Sequence, residues 1–349
     1  MHGGDIYTHG ILKGKNLIDF SSNINPLGVP KSFTRNIDEA LSNLNKYPDI
    51  HYRKTIEYLK EYTGKDKVHF LLGNGAAELL DLSIALFKKV VLVVPSFIEY
   101  EESAVKWGSE VNYSYLNDDF TINYEDILEK LESNDALIIA NPNNPNGGCI
   151  ESEKLQPIME YCERHNKKII IDEAFIEFAG INEFSLEDEL DKFNCLIIIR
   201  ALTKFFALPG IRFGYAMTKD KLLYEKIQNK QLPWNINCFA ESAVKHVLFD
   251  EEYIQKSNSW LKEEKEYFLC KLRKLNVFEN VYDTNGNYIL CKLNNLDCNE
   301  LYNRLSEKDI LIRRCDDYIG LSNKYIRIAI KDRKLNDILL RSLKEIDTE

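Results

Sequence analysis

Five short runs set the fold of this chain, because each is apolar at nearly every consecutive position. They are "VHFLL" (68–72), "VVLVV" (90–94), "ALIIA" (136–140), "KIIIDE" (168–173) and "CLIIIR" (195–200), with a further strand-like stretch, "EVNYSYL" (110–116), among them. Strands read this way when helices cover both faces of a parallel sheet. Helical spacing fills the gaps, in "AAELLDLSIALFKK" (76–89) and "SEKLQPIMEYCERHN" (152–166). Pro157 is expected in the first turn of the second helix, where its missing N–H costs nothing. The alternation predicts an α/β fold with a mainly parallel, doubly wound sheet.

The texture changes near residue 240. One long helical pattern covers 240–275, and strand-like segments follow in "NYILCKL" (287–293), "ILIRR" (310–314) and "YIRIAI" (325–330) before a closing helix at about 333–346. These predict a small α+β domain. The first forty or so residues have no strong sheet pattern of their own and are expected to pack against it. A chain of 349 residues exceeds what one small core organises. The expected division is a large domain over 46–239 and a small domain built from 1–45 and 240–349.

Composition removes several function classes. Net charge is −10 and the lysines are interleaved with acids, so no basic face for nucleic acid is expected. No apolar run is long enough to span a bilayer. The opening "MHGGDIYTHG" lacks a basic head and an apolar core, which predicts a cytoplasmic protein. The eight cysteines include no CxxC pair and the histidines no HxH or HExxH pattern. Reduced, mostly buried thiols and no metal site are expected. Trp234 reads as core.

Open α/β sheets bind ligands beyond the carboxyl ends of their strands. After "VHFLL" comes "GNGAAE" (73–78), a glycine turn into a helix whose free N–H groups suit a phosphate. By itself it is only a turn. After "VVLVV", Phe97 in "PSFIEY" can stack on a flat ring, or be a core aromatic. After "ALIIA", the turn "NPNNPNG" (141–147) carries more constraint than a structural loop needs and can aim an amide at a polar ligand. After "KIII", Asp172 is a buried carboxylate that requires a partner, either a helix cap, a cation or a protonated ring nitrogen. After "CLIII", Lys204 and Arg212 fall in "RALTKFFALPGIRFGY" (200–215). A phosphate cradle, a stacking aromatic, an amide, an acid and a buried amine together match the needs of pyridoxal 5′-phosphate.

The ordered set, from "HGGDIY" to the last helix, resembles the fold-type I pyridoxal-phosphate enzymes of the class I/II aminotransferase group. The resemblance implies that Ala76 and Ala77 offer backbone N–H groups to the cofactor phosphate, that Phe97 stacks on its ring and that Asn144 bonds the ring hydroxyl. Asp172 would pair with the ring nitrogen, Lys204 would be the Schiff-base lysine, and Thr203 and Arg212 would hold the phosphate. Tyr47 in "YPD" would reach the neighbouring subunit's site, implying a homodimer. Arg327 in "YIRIAI" would bind the substrate carboxylate.

Within that group, "HGGDIY", "DFSSNINPLG" (19–28), "TKFFALPGIRFGY" and "ILIRRCDDYIGLSNKYIRIAIK" resemble the branch of L-threonine-O-3-phosphate decarboxylase and histidinol-phosphate aminotransferase, the first more than the second. The implied substrate is a small phosphorylated amino acid or amine. Arg313 would bind its phosphate, with Asn25, His2 and His9 as further candidates. The first implied activity is decarboxylation of L-threonine O-3-phosphate in cobalamin biosynthesis. The alternative is transamination of histidinol phosphate or a similar amine. A non-catalytic regulator has against it a nearly complete set of cofactor residues. Four positions depart from the pattern: Ala201 for a serine, Phe175 for a tyrosine, Asn146 for a threonine and Arg314 for an aspartate.

Overall fold

The structure is a computed structural model that describes residues 3–348. Its strands are β1 (Ile18–Asp19), β2 (His69–Gly73), β3 (Lys89–Val94), β4 (Glu110–Tyr115), β5 (Ala136–Ala140), β6 (Lys168–Asp172) and β7 (Leu196–Ala201), then β8 (Gly214–Thr218), β9 (Phe278–Val281), β10 (Tyr288–Leu293), β11 (Ile310–Leu311), β12 (Arg313–Arg314) and β13 (Tyr325–Ala329). The main sheet has seven strands in the order β2-β8-β7-β6-β5-β3-β4. All run in one direction except β8, which is antiparallel to both neighbours.

The continuous apolar runs have a direct explanation. Leu137, Ile139, Ile169, Ile171 and Ile198 enter one core, while Ala136, Ile138, Ile170, Ile197 and Ile199 enter a second core on the other face. Alternate residues therefore serve two helical layers, and both faces of these strands are apolar through their middles. At about 25 cal/mol per Å2 of apolar area, burying each such side chain contributes roughly 1.5–3 kcal/mol, before the entropy cost of ordering it.

A second sheet, β12-β13-β10-β9, is antiparallel throughout, and β1 pairs in parallel with β11, Ile18 opposite Ile310. The N-terminal segment thus takes its strand partner from the far end of the chain. Segment 310–314 is not one strand: Ile310–Leu311 pairs with β1 and Arg313–Arg314 with β13. The pattern over 240–275 is two helices, Cys238–Val247 and Glu251–Leu272, because Asp250 accepts from the Tyr253 N–H and starts a new helix. Helix Ala76–Ile84 is shorter than its apolar pattern.

Pro157 does not occupy the first turn. It lies inside helix Ser152–Arg164. The carbonyl left without its donor is that of Glu153, and Glu153 and Pro157 share the exposed face, where solvent replaces the lost bond. Among the described residues no helix is long and apolar enough to cross a membrane, and no group of three metal-ligating side chains is found.

Candidate active site

The carboxyl ends of the parallel strands converge on a cavity of about 280 Å3. Ala76 and Ala77 follow β2, Phe97 follows β3, Asn144 follows β5, Asp172 ends β6, and Thr203 and Lys204 follow β7; all line it, with Arg212, Arg313 and Arg327. The structure therefore brings together ten of the proposed site residues from segments far apart in the sequence.

At one corner, Gly75 precedes helix Ala76–Ile84 with φ +84°, a conformation that favours glycine. A Cβ there would lie 2.4 Å from Arg212 Nη2, and one on Gly214 would lie 2.4 Å from the Ala76 nitrogen. Only glycine at both positions lets the guanidinium, the β8 backbone and the helix N-terminus approach so closely. The combination of free N–H groups and a cation is suited to a phosphate.

Asp172 accepts from the Tyr100 hydroxyl at 2.5 Å and from the Ala174 N–H at 2.9 Å. Burial pushes its pKa up despite both bonds. A cation placed in the cavity would offset that cost. Lys204 shows the converse. Burial, then the charges of Arg327 and Lys331, lower its pKa to about 8, against the pull of Asp172. Its Nζ stands 5.7 Å from the Phe175 ring centroid, which offers no hydroxyl. A neutral, nucleophilic amine is thus accessible near physiological pH.

The "NPNNPNG" turn is braced from within. Asn143 Nδ2 donates to the Pro95 carbonyl at 2.9 Å and to Asn146 Oδ1 at 2.7 Å, and Asn146 Nδ2 donates to the Phe120 carbonyl at 3.2 Å. Asn146 thereby uses its amide structurally. Asn144 Oδ1 accepts from Arg327 Nη1 and from the Tyr318 hydroxyl.

Among the described candidates, Asn25, Tyr47 and His9 do not line this cavity, and Tyr47 is expected at a neighbouring subunit's site. Asn25 Nδ2 donates to the Phe205 carbonyl at 2.9 Å and Ser257 Oγ at 2.8 Å, and its backbone N–H donates to the Lys204 carbonyl at 3.1 Å. It braces the lysine loop, with no polar atom left for a substrate. Tyr47 is 80% exposed, outside the cavity, with its ring centroid 4.7 Å from that of Trp234. Trp234 is itself exposed, not core. His2 lies outside the described residues. His9 lines a small neighbouring pocket beside Tyr302.

Asn23, Tyr100 and Tyr318 escaped the sequence reading. Asn23 lines the cavity and is 1% exposed, yet both its side-chain polar atoms lack partners. Buried amides without partners are rare, and a polar group entering the cavity would satisfy this one. Its segment is held from behind: Arg327 Nη2 donates to the Ser21 carbonyl at 2.7 Å, Lys331 Nζ to Ser22 at 3.1 Å and Asn287 Nδ2 to Asn23 at 3.1 Å. Asn23 and Asn25 both precede Pro26, and only tertiary contacts separate their roles. Tyr100 stands three residues beyond Phe97, where its N–H donates to the Phe97 carbonyl at 3.2 Å.

The family model described as aminotransferase class I and II matches residues 15–343. The chain belongs to that family. It is a pyridoxal-phosphate enzyme, and the phosphate corner, the buried acid and the depressed lysine fit that cofactor. Among class I and II relatives, a protein of Caldanaerobacter subterraneus provisionally named a threonine-phosphate decarboxylase is 38% identical, covering 100% of this chain and 94% of its own. The threonine-phosphate decarboxylase of Salmonella typhimurium is 34% identical over 99% of this chain and 96% of its own. A solved structure titled histidinol-phosphate aminotransferase, from Clostridium acetobutylicum, superposes with a TM-score of 0.94 at 48% identity, covering 95% of this chain and 99% of that one.

Proposed function

We propose that the protein decarboxylates L-threonine O-3-phosphate to aminopropanol phosphate, a step of cobalamin biosynthesis. The observation that carries this reading is a pair of arginines. Arg313 and Arg327 stand directly opposite each other on β12 and β13, 6% and 5% exposed, and both line the cavity. Like charges in that position repel. Arg313 is offset by two 2.9 Å bonds to Asp317, but Arg327 has no carboxylate partner among the described residues and its Nε is buried without an acceptor. Two such cations suit one substrate with two anionic groups, a phosphate and a carboxylate.

When bound, pyridoxal phosphate supplies an electron sink for a bond broken at the substrate α-carbon. The chain's own residues do the rest. Asp172 holds positive charge at the ring end of the cavity. Ala76, Ala77, Thr203 and Arg212 anchor the phosphate end, and Asn144 presents its amide. Arg313 and Arg327 would hold the two anionic groups and so fix which bond at the substrate α-carbon is presented for cleavage. Lys204, with its pKa near 8, returns a proton to the α-carbon.

Transamination of histidinol phosphate is the second reading, favoured by the 48% identical structure of that title. The same residues serve it, with Lys204 removing the α-proton. The test is product analysis with O-phospho-L-threonine and no 2-oxo acid. Sustained release of carbon dioxide and aminopropanol phosphate is expected. Turnover only with histidinol phosphate plus 2-oxoglutarate would replace the first reading with the second.

The proposed assembly is a homodimer. Tyr47 packs at a tilt against Trp234, and Ile50, Leu232 and Trp234 line one surface groove, all of them exposed. Burying this apolar surface against a second copy would place Tyr47 toward the partner's site. In the same reading, residues 46–239 form the cofactor domain and 1–45 with 240–349 the smaller one. Light scattering on the purified protein tests the dimer, and a monomer mass would reject it.

A further inference from the structure

Asn144 Oδ1 is contacted by two side chains at once, and one of them has no role in the account above. Tyr318 is 3% exposed and lines the cavity. Its hydroxyl lies 3.2 Å from Asn144 Oδ1, and Arg327 Nη1 donates to the same atom. A guanidinium can only donate, so the oxygen identity of that atom is set by chemistry. Asn144 Nδ2 has no protein acceptor among the described residues, and it is left as the end presented to the cavity.

Tyr318 is itself held firmly. Its N–H donates to the Cys315 carbonyl at 3.2 Å and its carbonyl accepts from Leu321 N–H at 3.0 Å. On its other side the Arg313 guanidinium lies 5.0 Å from the ring centroid, in cation–π range. Burial keeps the hydroxyl protonated, because its pKa is raised. One rigid ring thus touches the arginine proposed for substrate phosphate and the amide proposed for the cofactor hydroxyl.

We propose that Tyr318 is a positioning residue that, with Arg327, fixes the Asn144 amide so that its Nδ2 donates steadily to the ring hydroxyl of pyridoxal phosphate. The proposal rests on the cofactor and on the placement of Asn144, not on which substrate bond is broken.

The test is Tyr318→Phe, which keeps the ring under Arg313 and removes one hydroxyl. The loaded variant is titrated by absorbance against pH with no substrate present. A loosened amide stabilises the ring oxyanion less, so the bound chromophore is expected to titrate higher by about 0.5 unit or more. Asn144→Ala is expected to shift it at least as far, and the double variant no further than Asn144→Ala alone. In turnover with whichever phosphorylated amine the enzyme accepts, kcat should fall about three- to tenfold with KM little changed. An unshifted titration, even with a lowered melting temperature, would reduce Tyr318 to packing and overturn the proposal. So would a shift that persists in the Asn144→Ala background. Because the titration uses no substrate, a failed decarboxylation assay leaves its outcome intact.

Discussion

The cavity has two walls built on different plans. The wall made by the seven-stranded sheet is assembled from short local motifs, each directly following a strand: a glycine turn, a Pro-Asn turn, an acid, a lysine. The opposite wall is made by segment 21–23, β12, β13 and the loop between them, and its pieces are cross-linked over long distances. The Ser21 carbonyl is held by Arg327, and that of Asn23 by Asn287. The first wall takes its geometry from a rigid, doubly covered sheet. The second takes its geometry from a few buried donors, each worth about 0.5–1.5 kcal/mol net when neutral and about 1.5–3 when charged. Cofactor chemistry is common to a whole family, so a fixed scaffold suits it. Substrate choice varies, and a wall set by individual side chains is easier to change.

Removing a residue from each wall should separate them. Lys204→Ala is expected to lose turnover by about a thousandfold or more and to lose the absorbance of covalently held cofactor. Arg327→Met should retain that absorbance but lose about thirtyfold or more in kcat/KM, as removal of one partner from a buried charge contact does. If both variants lost the cofactor equally, the two walls would not be independent.

The walls meet electrostatically at Lys204. Its pKa is lowered to about 8 partly by Arg327 of β13 and Lys331 just beyond it. The neutral amine is the nucleophile. Cofactor capture by the apoprotein should therefore be fast above pH 8 and slow as pH falls through it, where an ordinary lysine at 10.5 would be slow throughout. Arg327→Met removes a like charge, so the midpoint should move up. Stopped-flow absorbance checks both.

The smallest effect concerns the frame behind the cofactor wall. Arg200, wholly buried, pairs with Glu173 and Glu187, and burial lifts neighbouring Glu177 to about 7. Its ordinary value is 4.5, so between 4.5 and 7 the folded state holds the proton that the unfolded chain has released. Stability contributed by that proton is present at low pH and lost as pH rises through 7. Glu177→Gln should thus raise the melting temperature at about pH 8 and leave it little changed at about pH 5. Equal shifts at both pH values would show that charge is not the cause.

The contrast between the walls also explains what the sequence disclosed. Strand identity and the residues that follow each strand were readable, because two-faced burial makes every position apolar and the motif comes at once. β8 was not, since "GYAMT" has no continuous run of branched apolar residues, and its place between β2 and β7 is a tertiary choice. Segment 310–314 was read as one strand because periodicity cannot show that Ile310–Leu311 and Arg313–Arg314 have different partners. Asn23 did not stand out from Asn25, because nothing local in the sequence separates the two. Tyr318 sits in a loop where nothing but its contact with Asn144 marks it. Pro157 sits inside its helix because the helix starts at Ser152, and the Glu153 carbonyl it leaves without a donor is exposed to water.

The pairing of β1 with β11 carries a consequence for synthesis. A chain emerging from the ribosome has every strand of the main sheet once Thr218 is out, but Ile18 must wait for Ile310 before it has a neighbour. All seven strands of the main sheet can thus assemble while Ile18 still lacks its partner, and the contacts that Tyr318 and Arg327 make to Asn144 form last.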